Sequence, residues 1–156
     1  MHKVTGNTSV VSALNAVLRI ERTAHEGVHD QEHAFERKGY DGLGDWFNNR
    51  VTDARTKRRA VLDRLFELDS MPGQDSDPYP VSFEPVDAFT NYQTHCQAAL
   101  TAYISAVQTA AAASDFPTEI ILRKNLKLTA KLLAKTEAKL AELSKLGPEL
   151  FLAQYL

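Results

Sequence analysis

The sequence predicts an all-α protein, a four-helix bundle in which one long crossover joins the second helix to the third. Apolar residues recur with a period near 3.6 through four long segments, as one buried helix face requires. Glycine, proline and small polar residues interrupt the chain between these segments. The interruption between the second and third segments, SMPGQDSDPYPVSFEP, holds four of the six prolines, so it cannot form regular structure.

Capping and turn residues delimit the first two helices. Helix A is predicted from Thr8 to Lys38, because GNTS offers N-cap residues before it and KGYDG ends it. Helix B is predicted from Leu43 to Asp69. Its buried line is Phe47, Val51, Ala54, Val61, Leu65 and Leu68.

The remaining helices are delimited in the same way. Helix C is predicted from about Glu84, with Pro85 in the first turn, where proline is favoured. ASDFPTE breaks the chain before helix D, which ends at Gly147, and PELFLAQYL is a short fifth piece. The buried line of helix C is Val86, Phe89, Cys96, Leu100, Tyr103, Val107 and Ala110, and that of helix D is Leu122, Leu126, Leu133, Leu140 and Leu143.

The length of the proline-rich connection decides the topology. A helix of about 27 residues is roughly 40 Å long. A loop of about 15 residues stretches to roughly 50 Å, so it can return along the whole bundle. Helix C is therefore predicted to run parallel to helix B.

Composition limits the class of protein. The 156 residues suit one domain spanning 1–156, and 44% hydrophobic with 24% charged residues is ordinary for a soluble protein. A net charge of −2 means that any basic patch must be local. The single cysteine, Cys96, excludes an internal disulfide, MHKVTGNTSV lacks the apolar core of a signal peptide, and no apolar run is long enough to span a membrane. These features predict a cytoplasmic protein.

Four segments carry a resemblance to a known family. GNTSVVSALNAVLRIE, KGYDGL, LDRLFELDSMP and KLGPELFLAQYL are similar in placement and character to segments of bacterioferritin. The resemblance covers nearly the full chain, and it implies a ferritin-like bundle with a short C-terminal helix. It also implies an iron-storage-type subunit that forms a homo-oligomer, either a hollow shell or a dimer.

The resemblance implies a di-iron site with degenerate positions. Family members hold two irons with a glutamate on helices A and C and a Glu-x-x-His motif on helices B and D. The matching positions in this sequence are Glu21, Ala54, Lys57, Gln97, Thr129 and Leu132. The haem-binding methionine of the family falls on Arg55, which has no lone pair to donate, so haem is not expected.

Elementary chemistry agrees that this set does not bind two irons. Two divalent ions need several anionic oxygens and at least one imidazole, whereas Lys57 repels cations. Glu21 is predicted instead to form an ion pair with Lys57, or with Arg50 about two turns before it.

The stretch IERTAHEGVHDQEHAF is the alternative place for a metal. His25, His29 and His33 are four residues apart, which is near enough on a helix for neighbouring pairs to share one metal ion. Glu21, His25 and Glu32 fall on the inward line of the helix, and His29 and His33 flank that line. The favoured interpretation is hydrogen bonding in a polar core or interface. A relocated iron or zinc site and a pH-sensitive assembly contact remain open.

Helix D also carries a row of lysines. Lys127, Lys131, Lys135 and Lys139 are spaced four apart, and like charges at this spacing destabilise a helix. A solvated face is the favoured interpretation and an anion-binding face is the alternative, while nucleic acid is not the expected partner.

These observations predict a bacterioferritin-like shell or storage subunit without the usual ferroxidase centre. Its role would be structural, as a non-catalytic partner that co-assembles with active subunits, and no enzymatic activity is expected. Two alternatives are an oligomeric protein that binds an anionic partner on the helix D lysines and a divergent metal-binding protein that uses the helix A histidines.

Overall fold

The computed structural model describes residues 7–156, which form five helices and no strand. The helices are α1 (Thr8–Arg37), α2 (Asp41–Glu67), α3 (Pro85–Ala112), α4 (Phe116–Leu146) and α5 (Pro148–Ala153). The predicted all-α class is confirmed. The predicted domain begins at residue 1, and its first six residues lie outside the described part of the chain. None of the described helices is both long enough and apolar enough to cross a membrane.

Local capping explains where the helices begin. The Asn7 side chain accepts a hydrogen bond from the Ser9 backbone at 2.8 Å and so starts α1. The α2 helix lies two residues earlier than predicted at both ends. Only the first three residues of the stretch ASDFPTE separate α3 from α4. The third of them, Asp115, caps α4 by accepting a hydrogen bond from the Thr118 backbone at 3.3 Å.

The order of contacts fixes the topology of the bundle. Helix α1 packs against α2 and α3, and α4 packs against the same two helices. Arg64 of α2 hydrogen-bonds to Thr118 near the start of α4, and Lys57 reaches Thr129 farther along, so α2 and α4 are antiparallel. A short turn also makes α3 and α4 antiparallel. Helices α2 and α3 therefore run in the same direction, as a long crossover requires.

Two apolar clusters fill the ends of the bundle. One includes Leu14, Val61 and Leu122, and the other includes Phe35 and Phe89 together with residues of α5. Fully buried apolar side chains at both ends supply the main stabilisation of the fold. Polar side chains from all four long helices occupy the level between the two clusters.

The crossover loop, residues 68–84, is attached along one ridge of α1. The ridge residues are spaced four apart and lie on one side of the helix: Asn15, Arg19, Thr23, Gly27 and Gln31. Arg19 forms two-pronged contacts with Asp77, the shortest at 2.6 Å. The Gln31 side chain both donates to and accepts from the Ser82 backbone, at 2.7 and 3.0 Å.

Gly27 is the ridge position where the loop approaches α1 most closely. A Cβ at this position would overlap the Cβ and ring of Tyr79. Only glycine lets this tyrosine lie directly against the helix backbone. The Tyr79 ring in turn covers His95 of α3, with the two ring centroids 6.0 Å apart.

Gly27→Ala should therefore lower the free energy of unfolding by about 1–3 kcal/mol through overpacking, although alanine is the better helix former. Gly44→Ala is the control, since its Cβ meets the flexible side chain of Glu36 at 2.8 Å. Urea unfolding measures both variants. Equal stabilisation of the two proteins would contradict close packing of Tyr79 on Gly27.

Candidate functional site

The centre of the bundle holds a buried ion pair. Glu21 of α1 is 0% exposed, and the Nζ of Lys57 on α2 lies 3.2 Å from its Oε2 atom. Lys57 is itself only 3% exposed. The predicted pairing of these two residues is confirmed.

Three neutral side chains complete what we call the polar layer, made of Glu21, Lys57, Tyr103, Asn125 and Thr129. The Tyr103 hydroxyl donates to the same Glu21 oxygen at 2.5 Å. Asn125 donates to the Lys57 backbone carbonyl at 3.1 Å and to the Tyr103 oxygen at 3.3 Å. Lys57 donates to Thr129 at 3.2 Å, and Thr129 donates to the Asn125 carbonyl at 2.8 Å. Each of the four long helices contributes at least one group.

Burial dominates the electrostatics of this layer. Loss of solvent raises the pKa of Glu21 above its usual value, while the Lys57 ammonium and the Tyr103 hydroxyl oppose the rise. Burial and the neighbouring Glu21 carboxylate hold the pKa of Tyr103 well above its usual value, so its hydroxyl stays a proton donor. Lys57 and Tyr103 both contact the Oε2 atom of Glu21, and its Oε1 atom has no hydrogen-bond partner.

The sequence missed part of the polar layer. Tyr103 was predicted only as an apolar stripe residue, and Asn125 was not singled out. Both lie among the apolar positions of their helices. A tyrosine hydroxyl and an amide at such positions need partners when buried, and this requirement was the available signal.

The α3 position that was predicted for the di-iron site does not face the bundle centre. Gln97 lies exposed on the outside of α3, while Cys96 faces the core. One residue turns a helix by about 100°, so a shift of one position separates core from surface. Burial raises the pKa of the Cys96 thiol to about 11, which leaves it protonated and unreactive. Ala54 and Leu132, at the other predicted di-iron positions, are buried.

His95 is a second buried polar group beside this layer. Its Nε2 atom has no hydrogen-bond partner. Burial, followed by the charge of Lys57, lowers the pKa of His95 to about 4, so the imidazole is neutral at pH 7. His95 lies next to Cys96 and outside the predicted buried line of helix C, so helical spacing did not single it out.

The histidines of α1 are divided between core and surface. His25 is partly buried, whereas His29 is exposed, and both border a surface groove that also contacts Arg55. Burial first, and then the charges of Arg58 and Arg55, lower the pKa of His25. A cation at this groove would meet the Arg55 guanidinium, and the carboxylates of Glu26 and Asp30 line the groove as well.

The other two predicted metal residues lie one or two turns farther along α1. His33 is 70% exposed and its Nδ1 atom lies 3.8 Å from Glu36. Glu32 is partly buried, and burial followed by the charge of Glu36 raises its pKa. Within residues 7–156, no group of three or more His, Cys, Asp or Glu side chains is placed to hold a metal ion. The predicted five-residue set is thus spread along a helix rather than gathered around one point.

Comparison with known proteins identifies the family. The ferritin-like domain family matches residues 11–146. The chain belongs to this family. Ferritin-like chains of known structure include the bacterioferritin of Rhodobacter capsulatus, determined with a metal-free dinuclear site and haem iron, and BfrA of M. tuberculosis. Each is similar in structure to this chain, with a TM-score of 0.94 and 20% sequence identity, and the match covers 97% of this chain and 95% of the other. No curated protein matches in sequence.

The ion pair of this ferritin-like chain can be tested by removing one of its two charges. Lys57→Met should cost about 3–5 kcal/mol of unfolding free energy, because it leaves Glu21 buried without a counter-charge. Adding Glu21→Gln should recover most of this loss, since no buried charge remains. Arg123→Met, which breaks the surface pair with Glu119, should cost no more than about 1 kcal/mol. Urea unfolding measures the free energy of unfolding of all these variants. If the losses of the two single variants simply add in the double variant, Glu21 and Lys57 are not energetically coupled.

His95 predicts a specific loss of stability in acid. Because the folded pKa of about 4 lies below the ordinary 6.5, the unfolded chain binds the extra proton first. The stability that neutral His95 contributes to the folded state is fully present above pH 6.5. It is lost as the pH falls towards 4, and the total loss is about 3 kcal/mol. His95→Gln should flatten this part of the pH profile, whereas exposed His33→Gln should not. Identical slopes in both variants would show that His95 titrates normally.

Proposed function

We propose that this chain is an iron-storage-type subunit of a bacterioferritin-like oligomer, and that it does not oxidise iron at the bundle centre. The ion pair between Glu21 and Lys57 is the observation that carries the proposal. It lies between the four helices, at the level where ferritin-like di-iron proteins gather their carboxylates and histidines. Iron is cargo in this role rather than a resident cofactor.

The residues of the polar layer do not suit two iron ions. Glu21 is its only carboxylate, and Lys57 already neutralises that charge. Tyr103 is held in the protonated form by burial, and Asn125 and Thr129 are neutral. Two divalent cations would therefore have one anionic ligand group and a repelling ammonium at 3.2 Å from it.

The residues near Arg55 do not suit haem. Arg55 lies exposed on α2, and its guanidinium remains protonated and cannot donate a lone pair to iron. His25 and His29 border the same groove, together with Arg55, Glu26 and Asp30. Burial first, and then the charges of Arg58 and Arg55, lower the pKa of His25.

Assembly is the function that remains for such a subunit. We infer that the chain forms a homo-oligomer or co-assembles with catalytically active subunits of the same fold, contributing wall and storage volume while its partners oxidise iron. A cytoplasmic location suits this role and the free thiol of Cys96. Co-expression with a bacterioferritin that has an intact di-iron site, followed by native mass spectrometry, tests for mixed assemblies. Strictly separate oligomers would rule out co-assembly.

Aerobic addition of ferrous iron tests the catalytic part of the proposal. The purified chain should oxidise iron no faster than buffer, because the only carboxylate of its polar layer, Glu21, is already paired with Lys57. The control is an active bacterioferritin at equal subunit concentration, followed by absorbance of ferric products. Rapid oxidation that saturates at two irons per chain would overturn the proposal.

A further inference from the structure

The face of α4 that borders α2 carries a line of exposed lysines. Lys124, Lys127, Lys131 and Lys135 share this face, and none of them forms a salt bridge within residues 7–156. At 1.5 Å per residue, the first three span roughly 10 Å of the helix. Like charges spaced three or four apart cost a helix a few tenths of a kcal/mol per pair, so the line is locally unfavourable without a counter-ion.

The structure changes the membership of the lysine row that the sequence predicted. Lys139 leaves the row, because its Nζ donates to the Tyr155 hydroxyl at 2.8 Å and lies 3.6 Å from Glu142. Lys124 joins it. Elsewhere on α4, Arg123 pairs with Glu119 at 2.7 Å. Basic side chains of this helix thus find acidic partners where such partners are in reach, and the lysine line has none.

A cavity of about 300 Å³ lies beneath these lysines, between α2 and α4. We call it the anion cleft, lined by Thr56, Lys124, Asn125, Lys127, Leu128 and Lys131. The cleft lies where α2 and α4 pack less closely than the other neighbouring pairs of long helices. Three lysines are among its lining residues, and no acidic residue is.

The charges below the cleft are already satisfied. Lys57 is directed to Glu21 and Thr129, and Asn125 donates both to the Lys57 carbonyl and to Tyr103. Thr56 donates to the Thr52 carbonyl at 3.1 Å, which leaves its oxygen as an acceptor. The free donors of the cleft are therefore the lysine ammonium groups, with three N–H bonds each.

We propose that the anion cleft binds a small phosphate-class oxyanion held by Lys124, Lys127 and Lys131. A multiply charged oxyanion offers several acceptors to several ammonium groups, and lysine is a common ligand of phosphate. The Thr56 oxygen is placed to accept from a protonated phosphate oxygen. The bound anion removes the repulsion between the lysines.

The dimensions favour a small anion over a nucleic-acid backbone. By the share of liquid volume per water, 300 Å³ corresponds to about ten water molecules, enough for one oxyanion with part of its hydration. The site is a recess between two helices rather than an extended face. The chain carries a net charge of −2, so its overall field does not attract a polyanion.

The test compares inorganic phosphate and tripolyphosphate with chloride at constant ionic strength. Calorimetric titration should detect binding to the wild-type chain, and the thermal midpoint should rise with ligand concentration, as binding to the native state requires. Lys127→Gln/Lys131→Gln should weaken the affinity at least about tenfold, because two charge-assisted contacts are lost. Circular dichroism in chloride checks that the variant is folded, which is expected because both side chains are exposed.

Lys145→Gln is the matched control. This lysine is exposed on the same helix and lies roughly 21 Å from Lys131 along the axis, beyond the range of unscreened interaction at physiological salt. It should bind phosphate like the wild type. Equal affinity in all three proteins, no binding at all, or an equal loss in both variants would each overturn the proposal. Tighter, lysine-dependent binding of a single-stranded oligonucleotide than of tripolyphosphate would overturn it in favour of nucleic acid.

Discussion

The buried ion pair between Glu21 and Lys57 constrains the whole bundle. Removing two charges from water costs several kcal/mol per ion, and their mutual attraction compensates only with good geometry and further hydrogen bonds. Here those bonds come from Tyr103, Asn125 and Thr129, on the other two long helices. A sliding motion of any helix by one turn would break at least one of these bonds. We therefore attribute the register of the four helices to the polar layer together with the close packing of the apolar clusters on either side.

The crossover loop covers one side of the bundle, next to the polar layer. It follows a ridge of α1 on which every fourth residue contacts it, and the absence of a side chain at Gly27 brings Tyr79 against the helix. Tyr79 then covers His95, whose neutral imidazole lies near the Lys57 charge. His95 is partly buried and still borders a surface recess, and burial lowers the pKa of its imidazole. Glu21 and Lys57 are more deeply buried, and their charges attract each other more strongly because solvent is absent around them.

Basic side chains lie at the bundle centre, in the α1 groove and along the cleft, but their partners differ. Lys57 is paired with Glu21 at the centre, and Arg55 borders the groove together with Glu26 and Asp30. Only the cleft between α2 and α4 is lined by lysines without an acidic residue, so of the three places it is the one that favours an anion. The ferritin-like fold by itself does not fix the chemistry of such sites.

The sequence by itself determined the helices, their order and the crossover. Periodicity names the buried face of a helix, and prolines in SMPGQDSDPYPVSFEP exclude regular structure whatever the surroundings. The resemblance to bacterioferritin brought Glu21 and Lys57 together, since the matching positions of the family converge, and the need of a buried carboxylate for a counter-charge then predicted their pairing. Only the tertiary structure decided the height of α3 along the bundle. Periodicity put Cys96 and Tyr103 on one buried line, and only the packing of the helices brings Tyr103 to Glu21. It also decided that Tyr103 and Asn125 join the polar layer, that the α1 histidines do not gather around one point, and that Lys124 rather than Lys139 borders the cleft. These outcomes depend on distances between helices, which hydrophobic spacing along one helix does not contain.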